Sequence, residues 1–362
     1  VTVLKSSPFH YRCVCMLHII HGDEASAGSW VLEELTRSDA GVRNTSKLLG
    51  RVYHPTIAEC VPQLRRHLRD FLIEQVSIIL CPYNKEMLVT IHTLNEANKR
   101  PSESSIQAAL ESSASDLRRV SVNVVAEDTS NEAVSRSGDE THAQGRKKRR
   151  GSSKKVSSDY VTDCYHLEAL STDVSLQFKE GNDAIANPTL EIDKLNWMVD
   201  AANQCLSRIP RNGRRQLLEV PMGSSNSLES LALGKLFDET VCVIDGHKGK
   251  ASAAWSKFRL NSMEGEVKVV RGSVSSKIAV LREHQFDMVA IGVDRSGLPD
   301  DVRSYLSSIP CIMYAGDYSV AMRGDIRLLS ITHKVQQLGL FDTAPFDEGL
   351  ECCVTLLRRD IV

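Results

Sequence analysis

No C-x-x-C pair, no apolar run of membrane-spanning length and no excess of either charge occurs in these 362 residues. Each absence removes something. Without a C-x-x-C pair or a larger cysteine cluster, no iron–sulfur ligand set and no disulfide framework are expected. The ten cysteines are Cys13, Cys15, Cys60, Cys81, Cys164, Cys205, Cys242, Cys311, Cys352 and Cys353, most of them in apolar segments such as Val241-Cys242-Val243. That usage fits buried thiols in a reducing intracellular compartment. Cys13 and Cys15 lie one apart on an expected strand and share a face, a pattern read as two core or surface thiols ahead of a metal pair. Without a long apolar run, no bilayer span is expected. A net charge of −2 provides no global basic field, so contact with a nucleic acid would have to come from local patches. The first residue is Val1, not Met. A processed or truncated product is the expectation, its targeting information gone with the missing end.

What is present falls into three stretches. Residues 1–125 are expected to form a smaller α+β domain. Its strands are Tyr11 to Ile20, Met87 to Ile91 and Val120 to Val125. Its helix lies within Pro55 to Leu80 and buries Cys60, Leu64, Leu68, Phe71 and Leu72. Within this stretch, 97–117 is rich in Ser, Glu and Ala and reads as low-complexity. Residues 126–159 turn from acidic to basic, ending in Arg146, Lys147, Lys148, Arg149 and Arg150 with Lys154 and Lys155 beyond. Little there can fill a core, so a disordered insertion is expected. Its basic half suits a nuclear localisation signal, an arm on RNA phosphates or a solvated linker, three readings that stay open.

From 160 to 362, and most clearly from 213, short apolar strands alternate with helices. The strands are Leu217 to Val220, Thr240 to Asp245, Val267 to Val270, Met288 to Gly292 and Ile309 to Tyr314. Such a series predicts an α/β, doubly wound, mostly parallel sheet. A last strand, Leu350 to Leu357, has no helix after it and is expected antiparallel at the sheet's edge.

Within this frame, Phe286 to Asp317 reads as strand, a loop holding Arg295-Ser296-Gly297-Leu298, a helix, and a strand ending Tyr314-Ala315-Gly316-Asp317. Upstream, Tyr165 to Leu170 leads to Asn187-Pro188, and downstream Ala344-Pro345-Phe346 leads to Glu351-Cys352-Cys353-Val354. In this order and spacing the chain resembles the RNA uracil-5-methyltransferases. Their FD-x-V-x-x-D-P-P-R-x-G-L run precedes a strand ending Y-V-S-C-N-P, and a later E-x-V-x-L closes the domain. The resemblance implies a Rossmann-like methyltransferase domain, S-adenosylmethionine as cofactor, and RNA (tRNA or rRNA) as partner, with ribonucleoprotein proteins further partners and neither metal nor membrane.

Residue by residue, the resemblance puts the family's general base at Glu351 and its nucleophilic cysteine at Asp317. The loop arginine falls at Arg295, with Gly292, Val293 and Asp294 in place of D-P-P. Cofactor contacts fall at Gly223, Ser225, Asp245, Ser273 and Gly292, with Ser225 where a second Gly is expected and Ser273 where an Asp is, a set that equally fits the ordinary turn chemistry of such a sheet. Asn187 is kept on the RNA side, whereas the glutamine that meets uracil becomes Ile185. The frame of an enzyme is therefore legible with its key sulfur replaced. A carboxylate is a poor soft nucleophile and would face the developing enolate with like charge. The leading expectation is a catalytically degenerate, RNA-binding or ribonucleoprotein-assembly factor, in the nucleus or a mitochondrion. Its alternatives are a working methyltransferase with a divergent site and a pure scaffold. Cys311, Cys352 and Cys353 stand as substitute thiols, each with a competing reading as core.

Overall fold

The computed structural model describes residues 1–5, 13–20, 29–32, 53–93, 101–126, 160–178, 185, 187–211, 213–220, 228–245, 248–293, 296–343 and 350–361. They gather into two compact units. One comprises Val1–Cys13, Thr162–Gln177 and Asn182–Val362; the other comprises Val14–Val161 and Phe178–Gly181. The chain's first strand, β1 (Thr2–Lys5), pairs in the first unit's sheet, so its start does not belong with the 14–125 stretch as expected.

The second unit holds a five-stranded sheet. In chain order its elements are β2 (Val14–Ile20), β3 (Ser29–Leu32), α1 (Pro55–Leu68), β4 (Ile73–Cys81), β5 (Glu86–Thr93), α2 (Glu103–Ser113) and β6 (Arg119–Ala126). The spatial order is β3-β2-β4-β5-β6, with only β5 and β6 parallel, α2 serving as their crossover. Helix α1 buries Ile57, Cys60, Val61, Leu64 and Leu68 and stops there. The expected continuation through Phe71 and Leu72 is corrected: Leu72 is exposed, and Ile73 opens a β-branched run that pairs as β4. The Ser/Glu/Ala stretch is also more than low-complexity. Ser102 caps α2 by accepting from the Ser105 amide, and Ile106 and Leu110, one turn apart, are buried.

The chain continues with the two-stranded sheet of β7 (Val161–Leu167) and β8 (Thr172–Phe178), of which Thr162–Gln177 belong to the first unit, then α3 (Pro188–Leu206). Next come β9 (Gln216–Val220), α4 (Glu229–Gly234), β10 (Glu239–Ile244), α5 (Lys248–Leu260), β11 (Val267–Arg271) and α6 (Val274–Leu281). Beyond them lie β12 (Met288–Val293), α7 (Asp300–Leu306), β13 (Cys311–Asp317), α8 (Val320–Leu329), β14 (His333–Asp342) and β15 (Glu351–Arg358). The eight-stranded order is β1-β14-β15-β13-β12-β9-β10-β11. Strand β15 runs antiparallel to both neighbours, and the rest of the sheet is parallel. The closing strand is thus antiparallel as expected but interior, because β14 and β1 lie outside it.

Both faces of this sheet are covered, which explains its nearly continuous apolar strands. One core joins Leu218, Val289, Ile291, Ile312 and Tyr314 to Val274, Leu281, Val302 and Leu329 from α6, α7 and α8. The other joins Leu217, Met288, Cys311, Met313 and Phe341 to Leu190, Met198, Ala202 and Leu233 from α3 and α4. The α/β, Rossmann-like fold is as expected. From β9 the chain winds outward through β10 and β11, then returns to the other side of β9 as β12. Open α/β sheets bind ligands beyond the strands' C-terminal ends at such a reversal.

Candidate active site

Two expected cofactor residues flank the reversal. Asp245 is exposed immediately beyond β10, and Gly292, half-buried near the end of β12, pairs with Ala315 of β13. Gly272 follows β11 with φ of +129°, a conformation that favours glycine, and donates to the Ile244 carbonyl at 3.0 Å. Ser273 uses its hydroxyl oxygen to cap α6, accepting from the Ser276 amide at 3.3 Å. Gly223, Ser225, Asp294, Arg295 and the run Arg146 to Arg150 lie outside the described residues.

One strand pair away, Asp317 and Glu351 stand directly opposite each other in the β13–β15 ladder, and Tyr318 N–H donates to the Leu350 carbonyl at 2.8 Å. Directly paired residues share a face, so the ladder brings the two carboxylates together. Neither oxygen of Glu351 is idle: Oε2 accepts from Lys194 Nζ at 3.0 Å and Oε1 from Thr343 Oγ1 at 3.3 Å. The same ammonium lies 2.8 Å from Glu191 Oε2 and 3.1 Å from Glu229 Oε1. One buried cation thus serves three carboxylates drawn from α3, α4 and β15. Burial alone would lower the Lys194 pKa, but the three carboxylates outweigh it and hold it well above its ordinary value. Burial raises Glu191 to about 7; Lys194 opposes the shift, while Glu229 and Glu351 add to it.

Asn187 ties the start of α3 to Thr343 beside this site. It is buried and caps α3 by accepting from the Leu190 amide at 3.3 Å, while its Nδ2 donates to the Thr343 carbonyl at 3.2 Å. Pro188 at the first helical position completes the start signal. Asn187→Ala is expected to lower stability by about 1–2 kcal/mol, the cost of a lost cap with a second bond removed. Equilibrium urea unfolding measures it, and a change below about 0.3 kcal/mol would contradict the capping role.

Two further polar clusters were not singled out in the sequence. On β9, buried Glu219 accepts from Cys242 Sγ at 2.6 Å, and Lys257 Nζ donates to Ser230 Oγ at 2.9 Å beside it. Burial raises Glu219, with Lys257 opposing the shift. On α8, buried Asp325 accepts from Tyr314 Oη and from the Leu298 amide, each at 2.8 Å, and pairs with Arg303, which also pairs with Asp300. Gly297 has φ of +80°, and a Cβ there would come within 2.9 Å of Asp325 Oδ2. Asp325 therefore pins the segment that follows Arg295. The substitute thiols are core residues. Cys352 lies in one core, Cys353 and Cys311 in the other. Burial pushes Cys352 up to about 11 and Cys353 higher. Cys311 is raised well above its ordinary value by its contact with Cys205 and by burial.

Residues 140–359 match the family described as tRNA (Uracil-5-)-methyltransferase. The chain belongs to this family. A tRNA/tmRNA (uracil-C(5))-methyltransferase of Shigella boydii is 26% identical over 187 residues, which are 48% of this chain and 48% of that protein. One from a Nitratiruptor species is 27% identical over 223 residues, 58% of each chain. The chain thus spans about half the length of the curated relatives it matches. The crystal structure of Pyrococcus abyssi tRNA (uracil-54, C5)-methyltransferase in complex with S-adenosyl-L-homocysteine superposes with a TM-score of 0.62. It is 12% identical, and the match covers 99% of this chain and 79% of that one. At that identity the likeness concerns the fold. Family membership confirms the resemblance read from the motifs. Among the described residues no helix is long and apolar enough to cross a membrane, and no group of three or more His, Cys, Asp and Glu is arranged to hold a metal.

Proposed function

We propose that this chain binds S-adenosylmethionine and RNA but does not transfer a methyl group to carbon 5 of uracil through an enzyme thiolate. The observation that carries this reading is the pair at the end of β13 and β15: Asp317 faces Glu351, whose two oxygens are already held. Carbon 5 of uracil is a poor nucleophile until a thiolate adds to carbon 6, and a base must afterwards remove the carbon-5 proton. Here the position matching the nucleophile is a carboxylate, and the three substitute thiols are buried and protonated. The protein then acts as an RNA-binding or ribonucleoprotein-assembly component.

The residues on the page suit the cofactor. Asp245 offers a solvent-facing carboxylate where a ribose diol can donate two hydrogen bonds, and Gly292 adds no side chain at the reversal. S-Adenosylmethionine, when bound, supplies a sulfonium methyl group. Calorimetric titration should give micromolar affinity for it and for S-adenosylhomocysteine. Asp245→Ala should weaken both about tenfold or more, as expected for hydrogen bonds to a charged group. Absence of binding at millimolar ligand would leave the fold a scaffold.

A working enzyme is the second reading, favoured by Glu351 standing at the family's base position. Incubation with radiolabelled S-adenosylmethionine and uridine-containing tRNA decides between them: label in the RNA sinks the proposal. Asp317→Cys isolates the nucleophile, because adduct formation requires the thiolate and not the base. That variant should form a denaturant-resistant adduct with 5-fluorouridine RNA, and the wild type should not.

A further inference from the structure

The outer face of α8 differs from the rest of the site. It begins at Tyr318, the residue after Asp317; Tyr318 is 51% exposed and has the Arg323 guanidinium over its ring, 5.7 Å from the centroid. Val320 is 76% exposed, Arg323 and Arg327 are exposed one turn apart, and Ile331 beyond the helix is 73% exposed. Exposed Arg359 reaches the same end of the helix, with Nε 3.1 Å and Nη2 2.9 Å from the Ser330 carbonyl. The helix has a single acid, Asp325, and it is buried in its pairing with Tyr314, Leu298 and Arg303. Asp360, next to Arg359, is tied to Arg358 at 2.7 Å. An aromatic ring and three arginines, with exposed apolar carbon between them, therefore form one stripe without a facing free acid on the helix.

We propose that this stripe is a track for a single RNA strand, with Tyr318 stacking a base and Arg323, Arg327 and Arg359 contacting the backbone. It rests on the reading that the chain binds RNA, and it names where. The physical case is charge complementarity together with a half-exposed aromatic ring. Arginines without neighbouring free carboxylates attract phosphates, and an exposed ring takes a base of any identity. The ten residues of α8 span about 15 Å, long enough to follow a few nucleotides of a single strand. The strand's end at Tyr318 would bring a nucleotide beside Asp317 and Glu351.

Fluorescence anisotropy of the full chain with a short labelled oligouridylate, across a salt series, tests this. Tyr318→Ala should weaken binding about tenfold while Tyr318→Phe retains it, because stacking needs the ring and not the hydroxyl. Arg323→Gln and Arg327→Gln should each lower the salt slope by about 0.7. These side chains are exposed, so the variants should melt with the wild type, and their melting curves check that. If Tyr318→Ala and both arginine variants bind like the wild type, the track is overturned. Affinity lost only on deleting 146–150 would then place the contact in that run. If the wild type binds no RNA at all, the track and the proposed RNA function fall together.

Discussion

Lys194→Met is expected to destabilise the first unit by about 3–5 kcal/mol at pH 8, the usual cost of leaving buried charge without its partner. The substitution keeps the side chain's length and removes the cation from Glu191, Glu229 and Glu351, which approach it at 2.8, 3.1 and 3.0 Å. The loss should shrink toward pH 5, where Glu191, raised to about 7 by burial, takes up a proton and one buried charge fewer needs the cation. Urea unfolding at the two pH values gives both numbers. A variant as stable as the wild type at pH 8 would mean the cluster is neutral or wetted.

Glu191 supplies the internal control. Its folded pKa, about 7, lies above the ordinary 4.5, so the native state holds the extra proton between those values. Its contribution is fully present below pH 4.5 and is lost as pH rises through 7. Glu191→Gln should therefore remove a downward slope of stability across that window. His333, buried with its pKa lowered by burial, acts in the opposite sense and weakens the fold as pH falls. The difference between variant and wild type, rather than either curve alone, is the readout.

The second large effect is at Asp325. Asp325→Ala removes the acceptor for the Tyr314 hydroxyl, the Leu298 amide and the Arg303 guanidinium at once, with only 2% of the residue exposed. A loss of about 3–4 kcal/mol is expected, since each buried donor left unpaired carries its own desolvation cost. Asp325→Asn, which keeps one acceptor oxygen, should lose less. Hydrogen exchange at the Leu298 amide should quicken in both variants. Unchanged protection there would show that Gly297 and the residues after Arg295 are held by something else.

Several of these residues carried a readable signal. Leu190, Lys194, Met198, Ala202 and Leu206 follow at steps of four, all of them buried. A lysine in that ladder announces a buried cation, and Asn187-Pro188 announces the helix that presents it. Glu229 and Asp325 carried no such mark. Glu229 meets Lys194 only because α4 packs beside α3, and Asp325 meets Leu298 from 27 residues away in the chain. Likewise β14 mixes polar and apolar residues without clean alternation, so its place between β1 and β15 was not legible.

By itself the sequence determined the alternation of strands and helices from β9 to β13, the doubly wound parallel sheet and the family. Those follow from local periodicity and from motif spacing, which a linear chain records directly. Tertiary structure alone decided that β15 lies inside the sheet, that Glu351 is held by Lys194 and Thr343, and that Cys311, Cys352 and Cys353 are core. Each of these depends on which face of one element meets which face of another. Which groups meet across long sequence separations is set by packing, and no local pattern in the chain encodes it.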